Sequence, residues 1–331
     1  MPMDFSNSVC VFLLAVCVFI SPNRASEANG KDILTTNPRP IIGILAQATG
    51  LRHISKYGKS FIAASYVKFV EAGGARVVPI LVNQTEDYYN KLFHSINGVI
   101  FPGGGQNEVS PDFGVGRSAA YFYKQAMKSF SEGDYFPIYG ICFGFELLAM
   151  LTENFSCLES MSASDISLPL NFSSGYEHSK MFGKTTTPPE ILEILRTQNV
   201  TYNAHKKGLS SKTFHSSDHL KHFYTEISTN WDKNDVEFIS TMEGVKYPFY
   251  ATQWHPEKIL FEWNTNSEKH IPHSEDAVKV AQYMARFIVQ EARKNNHKFA
   301  SPEEEQASLI YQYQPVYTGD INICEQNYFF S

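Results

Sequence analysis

From residue 40 onward, short apolar runs alternate with longer stretches in which apolar residues return every three or four positions. Residues 40–45 (PIIGIL), 75–82 (ARVVPILV), 98–101 (GVIF) and 136–141 (FPIYGI) are brief, rich in β-branched residues and bounded by turn signals. Strands covered on both faces have this pattern. Pro79 inside the second run predicts an interruption or a sheet edge, because proline donates nothing to a ladder. Residues 60–72, 86–96, 118–131 and 143–151 carry helical spacing, the first stopping at Gly73-Gly74. Strand and helix alternating over short links predict an α/β fold, a doubly wound and mostly parallel sheet with helices on both faces.

Between 157 and 246 the rhythm changes. Short β-like runs lie at 225–228 and 237–242, with one clear helix near 189–197. A further strand follows at 249–254. A long amphipathic helix spans 274–295, with Ser274 as its N-cap and Glu275 and Asp276 in its first turn. The tail from 298 to 331 is rich in Tyr and Phe, which predicts that it packs on the domain. There is no internal repeat and no linker within 39–331, so a single domain is expected there.

The N-terminus reads differently. Residues 9–20 (VCVFLLAVCVFI) are too few to span a bilayer and match the apolar core of a secretory signal, with Ala25 at a cleavage site. Asp4 and the lack of Lys or Arg before the run are atypical. The expected division is a signal peptide at 1–25, a polar linker at 26–38 and the folded part at 39–331. Asn83, Asn154, Asn171 and Asn199 each open an N-x-[ST] triplet, consistent with glycosylated surface loops on that route. Hydrophobic residues make up 43% of the 331, ample for a core. The net charge of −6 excludes a binder that holds nucleic acid by a basic surface. No other run is apolar enough to hold the chain in a membrane.

Three motifs sit at predicted strand ends, which in an open α/β sheet share one crevice. The sharpest is Gly140-Ile-Cys142-Phe-Gly144, between a strand and a helix, the setting of a nucleophile elbow. A sulfur there lies at a helix N-terminus, where N–H groups favour the thiolate. The pentapeptide alone fits equally well a small buried residue between two packing glycines. Gln253-Trp-His255-Pro-Glu257 supplies a base and, two residues on, a carboxylate to fix its tautomer; by itself it could be a surface turn. Phe101-Pro-Gly103-Gly104-Gly105 offers backbone N–H groups to an oxyanion, with Phe143 as a second donor. Neither a P-loop nor a dinucleotide fingerprint follows the glycines. His215, His219 and His222 lack the spacing of zinc ligands, His270, His273 and His297 read as solvent-facing, and Cys157 and Cys324 could be paired or free.

In order and spacing these motifs resemble the class I glutamine amidotransferase superfamily and, within it, the γ-glutamyl hydrolase family. The likeness runs from Pro40-Ile-Ile-Gly-Ile-Leu through Ile62-Ala-Ala-Ser-Tyr-Val, Pro169-Leu-Asn-Phe and Gln253-Trp-His-Pro-Glu-Lys to Glu291-Ala-Arg-Lys-Asn-Asn. It implies that 39–331 is a catalytic domain with a Cys142–His255–Glu257 site. It also implies an ω-peptidase that cleaves γ-linked glutamates from folate and antifolate polyglutamates, in lysosomes or after secretion, with no metal or organic cofactor. The small-molecule substrate is the expected partner, and a homodimer is left open. Tyr202-Asn-Ala-His205-Lys resembles a family segment whose histidine is tied to activity, although Lys207 stands here in place of an aromatic. The rivals are a γ-glutamyl-amine hydrolase or glutaminase of the same superfamily, and a catalytically silent binding relative.

Overall fold

A computed structural model describes residues 36–50, 53–105 and 109–331. The apolar run 9–20 with Cys10 and Cys17, and the signal boundary at 25, lie outside them. In chain order the first part comprises β1 (Ile41–Leu45), β2 (Gln47–Ala48), β3 (Ser60–Ala63), α1 (Ala64–Ala72), β4 (Arg76–Ile80), α2 (Glu86–Phe93), β5 (Val99–Phe101), α3 (Gly114–Ser131), β6 (Ile138–Ile141) and α4 (Phe143–Thr152). The second part comprises β7 (Glu159–Leu168), β8 (Asn171–Phe172), α5 (Pro189–Thr197), β9 (Thr201–Gly208), α6 (Ser211–Ser216), α7 (Asp218–Phe223), β10 (Tyr224–Trp231), β11 (Glu237–Gly244) and β12 (Phe249–Thr252). It ends with α8 (Lys258–Phe261), α9 (Glu275–Ala292), α10 (Pro302–Ser308), β13 (Val316–Tyr317) and β14 (Gln326–Phe330).

Among the described residues the main sheet has eight strands in the order β4-β1-β5-β6-β12-β11-β10-β8. Its first five are mutually parallel, and β11, β10 and β8 complete it antiparallel. The expected doubly wound α/β architecture is thus present. One face packs against α1 and α9 through Val67, Val70, Val280 and Met284. The other packs against α2, α3 and α4 through Phe93, Phe122 and Leu148. Pro79 sits on β4, the end strand, where its missing N–H costs no ladder bond inward. Ser274 caps α9 by accepting a hydrogen bond from the Ala277 N–H at 3.2 Å, an interaction worth about 1 kcal/mol.

Three expectations need correction. The helix expected over 60–72 begins only at Ala64. Residues Ser60–Ala63 are a strand, because the C-terminal tail supplies a partner: β14 pairs antiparallel with β3, Phe330 opposite Ser60. The region 157–246 holds two further short helices, α6 and α7, each N-capped by a serine, Ser210 and Ser217. His297 faces inward, with Nδ1 against the Phe93 carbonyl and Nε2 2.9 Å from Asp134. The tail does pack on the domain, as its aromatic content predicts.

Candidate active site

Cys142 joins β6 to α4 with φ at +52°, a conformation L-residues avoid unless the surroundings hold it. Its N–H donates to the Thr252 carbonyl on β12 at 2.8 Å, and its carbonyl accepts the Glu146 N–H at 3.0 Å. The flanking glycines are steric requirements. A Cβ on Gly144 would lie 1.8 Å from the Phe101 carbonyl oxygen, and one on Gly140 would lie 2.5 Å from the Gly144 oxygen. The first turn of α4 therefore presses directly on β5 and β6, and Cys142 is driven to the apex. At that helix end the Phe143 N–H has no intrahelical acceptor.

His255 follows β12, its N–H bonded to the Tyr202 carbonyl on β9 at 2.8 Å. Its Nδ1 lies 2.7 Å from Glu257 Oε1, and both side chains are buried. This leaves Nε2 as the nitrogen not bound to the carboxylate. Burial alone would push the imidazolium pKa down, but Glu257 and the Cys142 sulfur outweigh it and raise the value to about 10. A Cβ on Gly103 would lie 2.6 Å from His255 Cε1 and 3.3 Å from Cys142 Cβ. Thiol and imidazole thus flank one glycine. The structure brings Cys142, His255, Glu257 and the glycine loop to one place, as the strand-end argument requires.

The loop itself is clamped by two side chains that the motif reading missed. The Gly103 N–H donates to Tyr66 Oη at 2.7 Å, and Gln47 Nε2 donates to the Gly103 carbonyl at 2.5 Å. Gly103 therefore has no N–H to spare. Because a trans peptide sets its C=O and N–H in opposite directions, the hold on the Gly103 carbonyl fixes the Gly104 N–H pointing away from Gln47. Gly104 has φ at +141°, and a Cβ there would meet Gln47 at 2.1 Å. Tyr66 Oη is also 3.4 Å from His255 Nδ1. Burial, then the Glu257 and Cys142 charges, raise its phenol pKa well above the usual value. The only sequence signal for Tyr66 is its place in the Ile62-Ala-Ala-Ser-Tyr-Val likeness.

These groups open on a cavity of about 340 Å³, walled also by the Lys258–Glu268 ion pair and Cys324. Lys258 Nζ lies 2.8 and 2.6 Å from the two Glu268 oxygens. Burial opposes its charge, but Cys324 and Glu268 outweigh this and raise the ammonium pKa. Below the site, burial lifts the Glu146 carboxyl on α4 to about 7. His205 does not reach the cavity; its neighbour Ala204 does. The buried His205 ring faces the Lys207 carbonyl with Nδ1 at 2.8 Å and Asn203 Oδ1 with Nε2 at 3.2 Å. Burial pushes its pKa down to about 4.

Outside the cavity, His215 pairs with Glu226, His219 with Glu153, and His270 with Asp165. Cys157 and Cys324 are both free. Asn83, Asn154, Asn171 and Asn199 are all exposed. No helix of the described residues is long and apolar enough to cross a membrane.

Comparison with known proteins agrees with this geometry. The family model for Peptidase C26 matches residues 40–257. The γ-glutamyl hydrolase of Homo sapiens is 46% identical over 322 residues, covering 97% of this chain and 98% of the relative. That of Rattus norvegicus is 44% identical, covering 98% of each. That of Bos taurus is 47% identical over 295 residues, covering 89% of this chain and 91% of the relative. With its nucleophile elbow, its buried histidine–carboxylate pair and this similarity over nearly its whole length, the chain belongs to the γ-glutamyl hydrolase family of C26 cysteine peptidases.

Proposed function

We propose that the chain hydrolyses γ-glutamyl bonds of folate and antifolate poly-γ-glutamates by acyl transfer through Cys142. The observation that carries this reading is the strained Cys142 apex set against the buried His255–Glu257 pair. The Cys142 thiolate attacks the γ-carbonyl carbon, and the carbonyl π-electrons move onto oxygen. The Phe143 and Gly104 N–H groups stabilise that oxyanion. As the tetrahedral intermediate collapses, the C–N bond breaks and His255 gives its proton to the leaving α-amino group. A γ-glutamyl thioester and a shortened glutamate product result. Neutral His255 then takes a proton from water, whose oxygen attacks the thioester, and the thiolate leaves with a free γ-carboxyl on the other product. Glu257 holds Nδ1 throughout and keeps Nε2 aimed at the reacting atoms. Tyr66 and Gln47 are positioning residues for the glycine loop.

The four exposed sequon asparagines support a glycoprotein of the secretory route, delivered to the lysosome or the extracellular space. The test of the activity is direct. Pteroyl tri-γ-glutamate, its α-linked isomer and free glutamine are incubated with the protein, and products are identified by mass. Cleavage of the γ-linked chain alone is expected. Equal cleavage of the α-linked isomer, or glutamine as the preferred substrate, would overturn the reading.

A further inference from the structure

Three strands away from β12, β8 ends the main sheet. Asn171 pairs with Thr229 of β10 on one side, and among the described residues no strand pairs with β8 on the other. An open edge of this kind invites pairing with another chain unless it is covered. Asn171 opens the triplet Asn171-Phe172-Ser173 and is exposed. Its Nδ2 donates to Thr229 Oγ1 at 3.0 Å, so its side chain lies on the β10 side of the sheet face. Two residues along β10, on the same face by the strand period, stands Trp231, with 47% of its surface exposed. Asn171 and Trp231 line one surface groove, together with Arg196, Phe172 and Tyr176. Arg196 stacks over Phe172 and Tyr176 at 5.2 and 5.3 Å from their ring centroids and donates to Tyr176 Oη. The groove is therefore braced from within, while the indole beside it has no stacking partner of its own among the described residues.

We infer that Trp231 is a carbohydrate platform, which seats the first N-acetylhexosamine of an N-glycan on Asn171. An N-linked sugar replaces one hydrogen of Nδ2, and the other keeps the bond to Thr229. Trp231 lies about 7 Å from Thr229 along the strand, so the sugar starts beside the indole and can lay its C–H face on the ring. This covers an aromatic surface that is otherwise exposed to water. The inference rests on the secretory-route reading, and not on the catalytic one.

The full chain is secreted from a glycosylating cell line, and occupancy of Asn171 is read by peptide mass mapping. Thermal midpoints are then compared for the wild type, Asn171→Gln, Trp231→Ala and the double variant. Enzymatic trimming of the wild type to a single sugar, and complete enzymatic removal, provide routes that alter no residue before folding. Each single variant should lower the midpoint by a few degrees and the double variant by no more than either. The single-sugar form should keep the wild-type midpoint, and complete removal should lose the increment. Hydrolysis of the γ-linked substrate, measured alongside, should not change, because neither residue lines the cavity. An unoccupied Asn171, or additive effects in the double variant, would overturn the inference. So would a dimer that dissociates on Trp231→Ala with the glycan still attached, since a second copy would then hold the groove.

Discussion

Glu146 and His205 are both buried, both held neutral by burial, and opposite in their response to pH. His205 titrates near 4 in the fold against 6.5 when exposed. The unfolded chain therefore binds the extra proton between these values, and the stability from His205 is present above 6.5 and lost as pH falls to about 4. Glu146 titrates near 7 against 4.5 when exposed. Its contribution is present below 4.5 and lost as pH rises to about 7. At about 1.4 kcal/mol per pH unit, each window is worth about 3 kcal/mol. Between 4.5 and 6.5 the unfolded chain carries ionised Glu146 with protonated His205, whereas the folded chain carries both groups neutral. The proton counts match, so the pair contributes no slope there. Glu146→Gln leaves His205 uncompensated, and stability should fall by about 3 kcal/mol as pH is lowered through its window. His205→Asn should do the reverse and lose about 3 kcal/mol as pH is raised through the Glu146 window. Urea denaturation of wild type and both variants at half-unit steps reads this as the difference between curves, which removes every titration they share. A Glu146→Gln curve parallel to the wild-type curve across the whole range would refute the reasoning.

Three further outcomes follow from the site. Cys142→Ala should abolish turnover by several orders of magnitude while changing stability by about 1 kcal/mol; NMR titration should show the His255 pKa falling from near 10 once the sulfur is gone, and a variant with a tenth of the activity left would exclude Cys142 as nucleophile. Tyr66→Phe should lower kcat roughly 10- to 100-fold with KM little changed, because it releases the Gly103 N–H and loosens the loop; steady-state kinetics showing only a raised KM would contradict that. Gly144→Ala should cost about 3 kcal/mol or more in urea denaturation, since the added methyl has backbone in its place, and a stable, active variant would mean that α4 can move off β5.

The features legible in the sequence were local. The apolar runs, the helical spacing, the Ser274 cap and the stop at Gly73-Gly74 each depend on a few neighbouring residues. So does Gly140-Ile-Cys142-Phe-Gly144, because the glycines needed for close approach flank the cysteine they constrain. His255 and Glu257 are two residues apart and could be read as a pair. Contacts between distant segments decided the rest. Residues 60–63 carry apolar positions that serve a helix or a strand, and β14, more than 260 residues later, settles the matter by pairing with them. Which glycine N–H is left for an oxyanion depends on Tyr66 and Gln47, neither of them in the glycine motif. The segment around His205 is visible as a likeness, but whether its ring enters the cavity depends on the Lys207 carbonyl, which accepts from Nδ1 and turns the ring away in the folded strand. A short run of residues determines its own periodicity and turns; its burial, its hydrogen-bond partners and hence its protonation are determined by whatever the tertiary structure brings against it.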